Sequence, residues 1–513
     1  MLNLRLASAV VAVLVSYPVG LGQPQPDATG RPEPSKTVQL LPLPEVKLDG
    51  SGAPLEADKE RVKNLIDDLV HISQADFGMS PTLSGDAFAP LPGLSHSHAM
   101  ILTQHNLRTN PSFFELVKLG PKALPQLLDA LTDARPAALT ITHDTPMGGM
   151  WFDHEMWGNP ANEHEHAVLG DLPERVPGGL PNDTMSKYTV TVGDVCFVII
   201  GQITGRPYSA VRYQPTACIV INSPVHDPKL AEQVRAIWSD PDPTKRLLDS
   251  LLTDFSTRGI HTGNSLDHWS IGAGFQVGAA TRLLYYFPGQ TAALIAKRLD
   301  GLDVTQPVGG LDASMNQTVA NGVRADDFIA AVSWSDRPEI RAALGRLLDR
   351  TDDPELFVKG LPTEGEVSEA ATAKLVKMLE ALPPHDPGPY GKTYKLLCVL
   401  ARQPVSKATP EFARLVQGSL EQRRAVCMAL KEVHPPFAVE VLTPLLEDKQ
   451  PCNGWTHSEV EGANQPRSAI RMCDEAADAM AASDPSISFR MVGTTAQMDA
   501  QIDAIRTALH ERK

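Results

Sequence analysis

The chain has 513 residues, of which 42% are hydrophobic and 21% charged, and its formal net charge is −15. This length leaves room for several domains or for one long repeat array. The acidic balance, without a block of Lys and Arg, argues against nucleic acid and anionic membrane surfaces as partners, and an aromatic content of only 5% favours helix packing over a β-sandwich.

The first residues have the pattern of a secretory signal. Arg5 precedes the apolar run Leu6–Val15, and Gly20 and Gly22 suit a signal-peptidase site before Gln23. We therefore expect a signal peptide at residues 1–22 and export to a periplasm or to the outside of the cell. Because no later stretch approaches the roughly 20 apolar residues of a spanning helix, we expect no membrane insertion after the signal is removed.

Composition changes several times along the rest of the chain. Proline is frequent and large apolar residues are few at 23–54, so we expect a disordered Pro-rich linker there. Helical spacing of apolar residues then begins, which places the N-terminal helices at 55–139. A long insertion rich in His and Gly follows at 140–187. Helical repeats are expected at 188–482, and a C-terminal segment with a terminal helix at 483–513.

Two short apolar helices joined by a tight break lie between Pro111 and Asp133. Gly120 is suited to end the first helix and Pro121 to begin the second. Each helix has an apolar stripe that it cannot bury alone, so the pair must stack on a neighbour. The stripes consist of Phe113, Phe114, Leu116, Val117 and Leu119 in the first helix, and Ala123, Leu124, Leu127, Leu128 and Leu131 in the second.

This stretch resembles the HEAT family of helical repeats. The run Lys118-Leu119-Gly120-Pro121-Lys122-Ala123-Leu124 and the exit Leu131-Thr132-Asp133 match a helix ending in Leu-Gly, a second Leu-rich helix and an Asp near its exit. Weaker echoes recur at irregular spacings of roughly 35 to 50 residues. Resemblance to exported bacterial HEAT-like (armadillo-type) proteins implies an all-α fold, an irregular α-solenoid of helical hairpins with long loop insertions, whose elongated surface binds a protein partner.

One segment allows two interpretations of its secondary structure. Thr191-Val192-Gly193-Asp194 has the form of a helix start before an apolar run. The β-branched residues of Val195–Ile200 favour a buried strand instead. A small β element within the helical array is therefore the alternative at this position.

The insertion concentrates side chains that suit a divalent metal. The candidates are His154, His164, His166 and Glu155, among further His and carboxylate side chains between residues 143 and 166. Imidazole and carboxylate groups bind Zn or similar ions, and a metal with an open position would make the chain a metal-dependent enzyme of the hydrolase type. The alternative is a solvated acidic loop in which His is incidental, because no H-E-x-x-H motif is present.

Aromatic and arginine side chains form a second set of candidates for binding. Trp151, Phe152 and Trp157 would form either a platform for a sugar or peptide, or an anchor that pins the insertion to its scaffold. Arg206 and Arg212 would bind an acidic group, or would cover apolar surface and hydrogen-bond carbonyl groups.

Six cysteines are present, without a C-x-x-C motif. An oxidising compartment would permit disulfides between neighbouring repeats, whereas free buried thiols are the alternative. The candidate bridges, which have similar separations, are Cys196–Cys218, Cys398–Cys427 and Cys452–Cys473.

These observations favour a non-catalytic scaffold or protein-interaction module outside the cytoplasm, without a cofactor. Loops on one edge of a solenoid are the usual place for recognition, so residues 140–187 are the expected specific surface. The alternative is the metal-dependent enzyme described above, with a divalent ion such as Zn bound in loop 143–166.

Overall fold

The structure is a computed structural model, and the residues that it describes all fall in the unit Val38–Lys513. They are 39–40, 42–48, 56–73, 88–91, 110–156, 158–159, 161–170, 183–213, 218–258, 275–304, 325–361, 367–382, 391–455 and 468–512. Helices account for 63% of the described residues. The predicted mostly helical fold is confirmed, whereas the predicted signal peptide and Trp157 lie outside the described residues.

Nineteen α-helices are found in the described part of the chain. In chain order they are α1 Glu56–Asp68, α2 Pro111–Leu119, α3 Leu124–Asp129, α4 Glu163–Leu169, α5 Val192–Thr204, α6 Pro228–Trp238, α7 Pro243–Ser256, α8 Phe275–Tyr286, α9 Pro288–Asp300, α10 Ala325–Val332, α11 Pro338–Arg350, α12 Pro354–Gly360, α13 Glu369–Ala381, α14 Lys392–Ala401, α15 Val405–Leu415, α16 Leu420–Val433, α17 Ala438–Leu442, α18 Met472–Ser483 and α19 Thr495–Glu511.

Short strands lie between the helices and form small sheets. They are β1 Gln39–Leu40, β2 Pro136–Thr142, β3 Met150–Phe152, β4 Lys187–Thr191, β5 Val211–Tyr213, β6 Ile219–Ile221, β7 Thr257–Arg258, β8 Pro451–Trp455 and β9 Ala469–Arg471. The pairs β1–β7, β2–β4 and β8–β9 are antiparallel, and a three-stranded sheet has the order β3-β6-β5, with β3 parallel to β6.

Local chemistry explains where many helices begin. Asp227, Asp242 and Asp353 each accept a backbone amide hydrogen bond at the start of a helix whose first residue is Pro. Proline suits that position because its missing N–H would have no partner there, and the Asp oxygen satisfies one of the remaining free amides. The Asp-Pro pairs therefore fix the residues at which α6, α7 and α12 begin.

Helices pack on one another in chain order, and apart from α7 on α8 the contacts of the longest row join every second described helix. The first row runs α5, α7, α8, α10, α12, α14, α16, α18, and each helix in it contacts the next. Helix α9 packs on α11, and α15 packs on α17, outside that row. Their apolar faces form two core clusters, one extending along the chain from Val62 to Leu356 and the other from Leu348 to Ile505.

Ion pairs also join neighbours of the first row. Asp326 of α10 lies 2.9 Å from Lys359 of α12, and Glu355 of α12 lies 2.8 Å from Lys395 of α14. Further along, α16 is joined to α18 by Lys431 with Asp478 and by Arg424 with Glu475. Because these pairs are partly exposed, each stabilises the stack modestly, by about 1 kcal/mol or less, but each fixes which faces meet.

The end of the predicted Pro-rich linker is attached to the helices. Gln39 and Leu40 pair with Arg258 and Thr257 after α7. Further on, the partly buried side chains of Val46 and Leu48 pack against the first core cluster. Val46 and Leu48 alternate with charged residues, a strand-like pattern that is inconspicuous within a proline-rich composition. Disorder was therefore predicted too far along the chain.

Two segments far apart in sequence share one local architecture. In each, a short 3-10 turn leads through an Asp into a strand, a second strand pairs with the first, and a long helix follows directly. The first copy comprises Ala130–Thr132, β2, β4 and α5, and the second comprises Thr443–Glu447, β8, β9 and α18. We call this arrangement the hairpin unit. Its equivalent residues are Asp133 and Asp448, Pro136 and Pro451, Thr191 and Arg471, Gly193 and Cys473, and Asp194 and Asp474.

Backbone hydrogen bonds show that the equivalence is structural. Gly193 N donates to Asp133 O at 2.9 Å, and Cys473 N donates to Asp448 O at 2.8 Å. In the first copy, the Thr191 and Asp194 side chains form a capping box, so α5 begins at Val192 as the helical interpretation predicted. The alternative strand at Val195–Ile200 is wrong, because the capping box and helical packing on neighbouring helices outweigh β-branched preference.

Candidate functional site

The insertion lies between the paired strands of the first hairpin unit. It is more ordered than the predicted loop 140–187, because β3 and α4 lie within it. Strand β3 finds its hydrogen-bonding partner in β6, which is about 70 residues further along the chain. A pairing between such distant segments leaves no local sequence pattern, and this is why the insertion was predicted to be irregular.

A fully buried arginine fastens the insertion to the helices. The Arg206 guanidinium donates to Glu165 of α4 through Nε at 2.9 Å and Nη2 at 2.5 Å. It also donates to Asp254 of α7 through Nη1 at 2.5 Å and Nη2 at 3.0 Å. The exposed fractions of these three side chains are 0% to 2%. Helix α4 is therefore held to α7 and to the segment just after α5 by charged hydrogen bonds that are shielded from water.

Neutral groups complete this buried cluster. Asn159 donates through Nδ2 to Asp254 Oδ1 at 2.8 Å, and its backbone amide donates to Glu165 Oε2 at 2.9 Å. The rings of Trp238 and Phe275 lie 5.6 and 5.4 Å from the Arg206 guanidinium carbon. Burial raises the pKa of Asp254 to about 6, and the nearby Glu165 carboxylate acts in the same direction against the lowering effect of Arg206.

A second buried ion pair holds the chain after β3. Arg212 of β5 donates through Nε and Nη2 to the two carboxylate oxygens of Glu155 at 2.7 and 2.6 Å. The Glu155 amide donates to Asn222 Oδ1 at 2.9 Å. Arg206 and Arg212 therefore turn their guanidinium groups towards carboxylates of the chain itself, and neither is open to an external acidic group.

The aromatic candidates are placed as anchors. Phe152 stacks on His226 at a centroid distance of 3.5 Å and meets Tyr188 edge-on at 5.5 Å. The Tyr188 hydroxyl donates to Asp194 Oδ2 at 2.6 Å, which joins β4 to the start of α5. Trp151 precedes Phe152 on β3 and is half-buried. This arrangement favours the pinning interpretation over an open platform.

Three of the four residues predicted as metal ligands contact separate partners, and the fourth is exposed. His154 Nδ1 lies 2.5 Å from Asp227 Oδ2, and His164 Nε2 lies 3.1 Å from Ala236 O. Glu155 is paired with Arg212, and His166 is an exposed residue of α4. Among the described residues, no three His, Cys, Asp or Glu side chains are placed to hold a metal ion.

All six cysteines are buried, and their thiols are not joined to one another. None of the three candidate bridges is therefore formed in the structure. Burial raises the pKa of the Cys196 and Cys427 thiols, which lowers their reactivity.

The geometry makes the base of the insertion a rigid joint, because its buried charged groups are hydrogen-bonded to the chain. Arg206 and Arg212 are recognisable in the sequence as candidates, and Glu165 only as one of the possible metal ligands between residues 143 and 166, whereas no motif singled out Asp254 and Asn159. Asp254 did leave a signal: it continues the helical spacing of the buried Leu247 and Leu251, and a carboxylate at such a position requires a buried partner. What remains accessible is the outer edge, where Met147 is 70% exposed.

In the described part of the chain, no helix has both the length and the apolar character needed to span a bilayer. The comparisons with known proteins returned no match, whether to a family model, to a curated protein or to a solved structure.

Proposed function

We propose that the protein is a non-catalytic scaffold that works outside the cytoplasm, with a HEAT-like α-solenoid as its body. The observation that carries this proposal is the first row, in which each helix packs on the following one of the row; apart from α7 and α8, these are helices next but one along the described chain. Repeat proteins are built from such nearest-neighbour contacts, which leave an extended surface for partners. The ion pairs between successive helices of the row support the same architecture.

The specific surface is the outer edge of the insertion, and its ligand is a protein. Strand β2 alternates buried and exposed residues, so Thr140 and Thr142 face outward ahead of the exposed segment Asp144–Met147. A large apolar side chain in such a position lies beside backbone held by hydrogen bonds of Gly149 and Met150 to Ile219 and Met185, and therefore suits protein recognition with little ordering cost. Export through the predicted signal at residues 1–22 would place this surface outside the cytoplasm.

Partner capture tests the proposal. The full chain, recovered from the exported fraction, would be immobilised and exposed to envelope extract, with Met147→Asp as the test variant. Val405→Asp in α15 is the matched control, because Val405 is also an exposed apolar residue, at 48% against 70% for Met147. We expect a protein retained by the wild type and by Val405→Asp but released by Met147→Asp. Equal retention by all three would contradict the proposed surface.

Metal content tests the non-catalytic part. The protein would be purified without an affinity tag and without chelator, and its Zn and Mn measured against a His164→Ala/His166→Ala double variant. We expect no stoichiometric metal in either protein. Stoichiometric metal that the double variant loses would overturn the scaffold proposal in favour of a metal-dependent enzyme.

A further inference from the structure

The buried cluster of Glu165, Arg206 and Asp254 has an uneven charge count. One guanidinium faces two carboxylates, and all three side chains are almost fully buried. In the other buried pair of the insertion, Arg212 donates to both oxygens of the Glu155 carboxylate. Excess charge in a water-excluded place is costly, and a carboxyl group can relieve it by taking up a proton.

Other charged groups around the cluster do not remove this imbalance. Arg246 of α7 is half-buried, and burial lowers its pKa; Glu165, Asp240 and Asp249 all act on it in the opposite direction, Glu165 most strongly. Arg282 of α8 donates to the carbonyl oxygens of Gln202 at 2.7 Å and Gly278 at 3.1 Å. From the segment before β5, Tyr208 contributes a hydroxyl group that accepts from Trp238 Nε1 of α6 at 3.1 Å, and burial raises its pKa.

We propose that this cluster makes the attachment of the insertion pH-dependent. Protonation of Asp254 removes the excess negative charge and tightens the docking of α4 on α7 and on the segment that carries Arg206. Loss of that proton leaves two buried carboxylates on one guanidinium and loosens the joint. The attachment of α4 is separate from the protein-binding surface proposed above. The proposed pH dependence can therefore fail while the binding surface stands, and the reverse also holds.

The direction follows from linkage between proton binding and docking. Burial, with Glu165, raises the pKa of Asp254 from the ordinary 3.8 to about 6 in the docked state. A carboxyl whose pKa is raised by docking stabilises the docked state fully below its free pKa, and this contribution is lost as pH rises through about 6. Between the free and the docked pKa of Asp254, the equilibrium constant for undocking of the insertion should increase by up to about tenfold per pH unit.

Hydrogen exchange read by mass spectrometry on the full chain tests this inference. Protection factors, which correct for the pH dependence of chemical exchange, would be followed from about pH 4 to about pH 7, a range that includes the expected transition. The informative peptides contain α4 and Asn159, whose amide donates to Glu165. We expect their protection to fall as pH rises, while peptides from α14 and α16 keep theirs.

Two variants remove the excess charge in different ways. Asp254→Asn removes the titrating group, and Glu165→Gln leaves Asp254 in a one-to-one pair with Arg206, so both should abolish the pH dependence. Glu155→Gln is the matched control, since it removes a carboxylate from the other buried ion pair of the insertion and should keep the dependence. A wild-type protein without the fall, or an equal fall in whichever of the two variants folds, would overturn the inference.

Discussion

Asp194 and Asp474 hold the first turns of two equivalent helices in the same way but have different neighbours. Each accepts a hydrogen bond at 2.8 Å from the amide three residues before it. Asp474 also accepts from the Arg471 guanidinium at 2.9 and 3.0 Å, whereas Asp194 accepts from the Tyr188 hydroxyl at 2.6 Å. Burial raises the pKa of Asp194 despite its hydrogen bonds to hydroxyl and amide groups.

The two positions should therefore respond differently to the same substitution. We expect Asp194→Asn to change the free energy of unfolding by less than about 1 kcal/mol, because a neutral amide can still accept from Thr191 N. Asp474→Asn should cost about 2 kcal/mol or more, because it leaves the buried side of the Arg471 guanidinium without its carboxylate. Urea unfolding at neutral pH measures both. Equal losses would show that the hydroxyl neighbours and the guanidinium stabilise these carboxylates alike.

Gly193 begins α5 at a point where another backbone segment passes very close. A Cβ added to Gly193 would lie 2.5 Å from Leu131 O and 2.6 Å from Val225 Cγ2. Because the carbonyl cannot move without the turn that carries it, we expect Gly193→Ala to destabilise the protein by about 1 to 3 kcal/mol.

Gly345 provides the matched control for this substitution. It lies exposed within α11, and a Cβ added there meets nothing within 4 Å. Gly345→Ala should stabilise the protein by about 0.5 to 1 kcal/mol, because alanine has less backbone freedom to lose on folding. Thermal unfolding of both variants checks the pair, and a Gly193→Ala protein as stable as the wild type would contradict the close approach.

The helical fold could be predicted from sequence because helix signals are local. Gly120 and Pro121 mark the break between α2 and α3, and the Thr191 and Asp194 pair marks the start of α5. The repetition of the hairpin unit is not recognisable in the sequence, because its two copies have different residues at the positions that form the characteristic hydrogen bonds. Thr191 is replaced by Arg471, Gly193 by Cys473, and only the Asp-to-Pro spacing and the capping Asp are shared.

The base of the insertion was predictable only in part, since its contacts join distant segments. Arg206 drew attention as a candidate, but its partners Glu165 and Asp254 lie 41 and 48 residues away in sequence. Local patterns contain no information on which carboxylates a buried guanidinium will meet. The density of His and acidic side chains between residues 143 and 166 instead suggested a metal, although in the structure these side chains contact different elements.

The thiols give a prediction that separates free cysteine from the disulfides suggested by export. Burial raises the pKa of Cys452 and of Cys473 to about 11, so neither forms the reactive thiolate readily at neutral pH. We expect no rapid labelling of the native protein by a thiol reagent, and labelling of all six cysteines after unfolding without reductant. Fewer than six reactive thiols in the unfolded protein would show that disulfides form after export.

Among the described side chains at the base of the insertion, Arg206 should contribute most to the free energy of unfolding. Arg206→Met keeps much of the apolar stem but leaves Glu165 and Asp254 buried beside each other without a cation. Breaking a buried ion pair in this way typically costs about 3 to 5 kcal/mol, and the variant should unfold at a markedly lower urea concentration. Arg206→Lys should recover only part of the loss, because an ammonium group cannot bridge both carboxylates in the forked geometry of a guanidinium.

The matched control is Arg346→Met in α11, which breaks a bidentate pair with Asp300 at 2.9 and 2.8 Å on the exposed surface. Solvent screens that pair and hydrates the remaining carboxylate, so its removal should leave the urea midpoint unchanged within error. At acid pH the urea midpoints of Arg206→Met and the wild type should also lie closer together, because protonation neutralises the carboxylates of Glu165 and Asp254 that the variant leaves without a cation. If Arg206→Met and Arg346→Met unfolded at the same urea concentration, the joint would not depend on its buried charges, and apolar packing alone would hold the insertion.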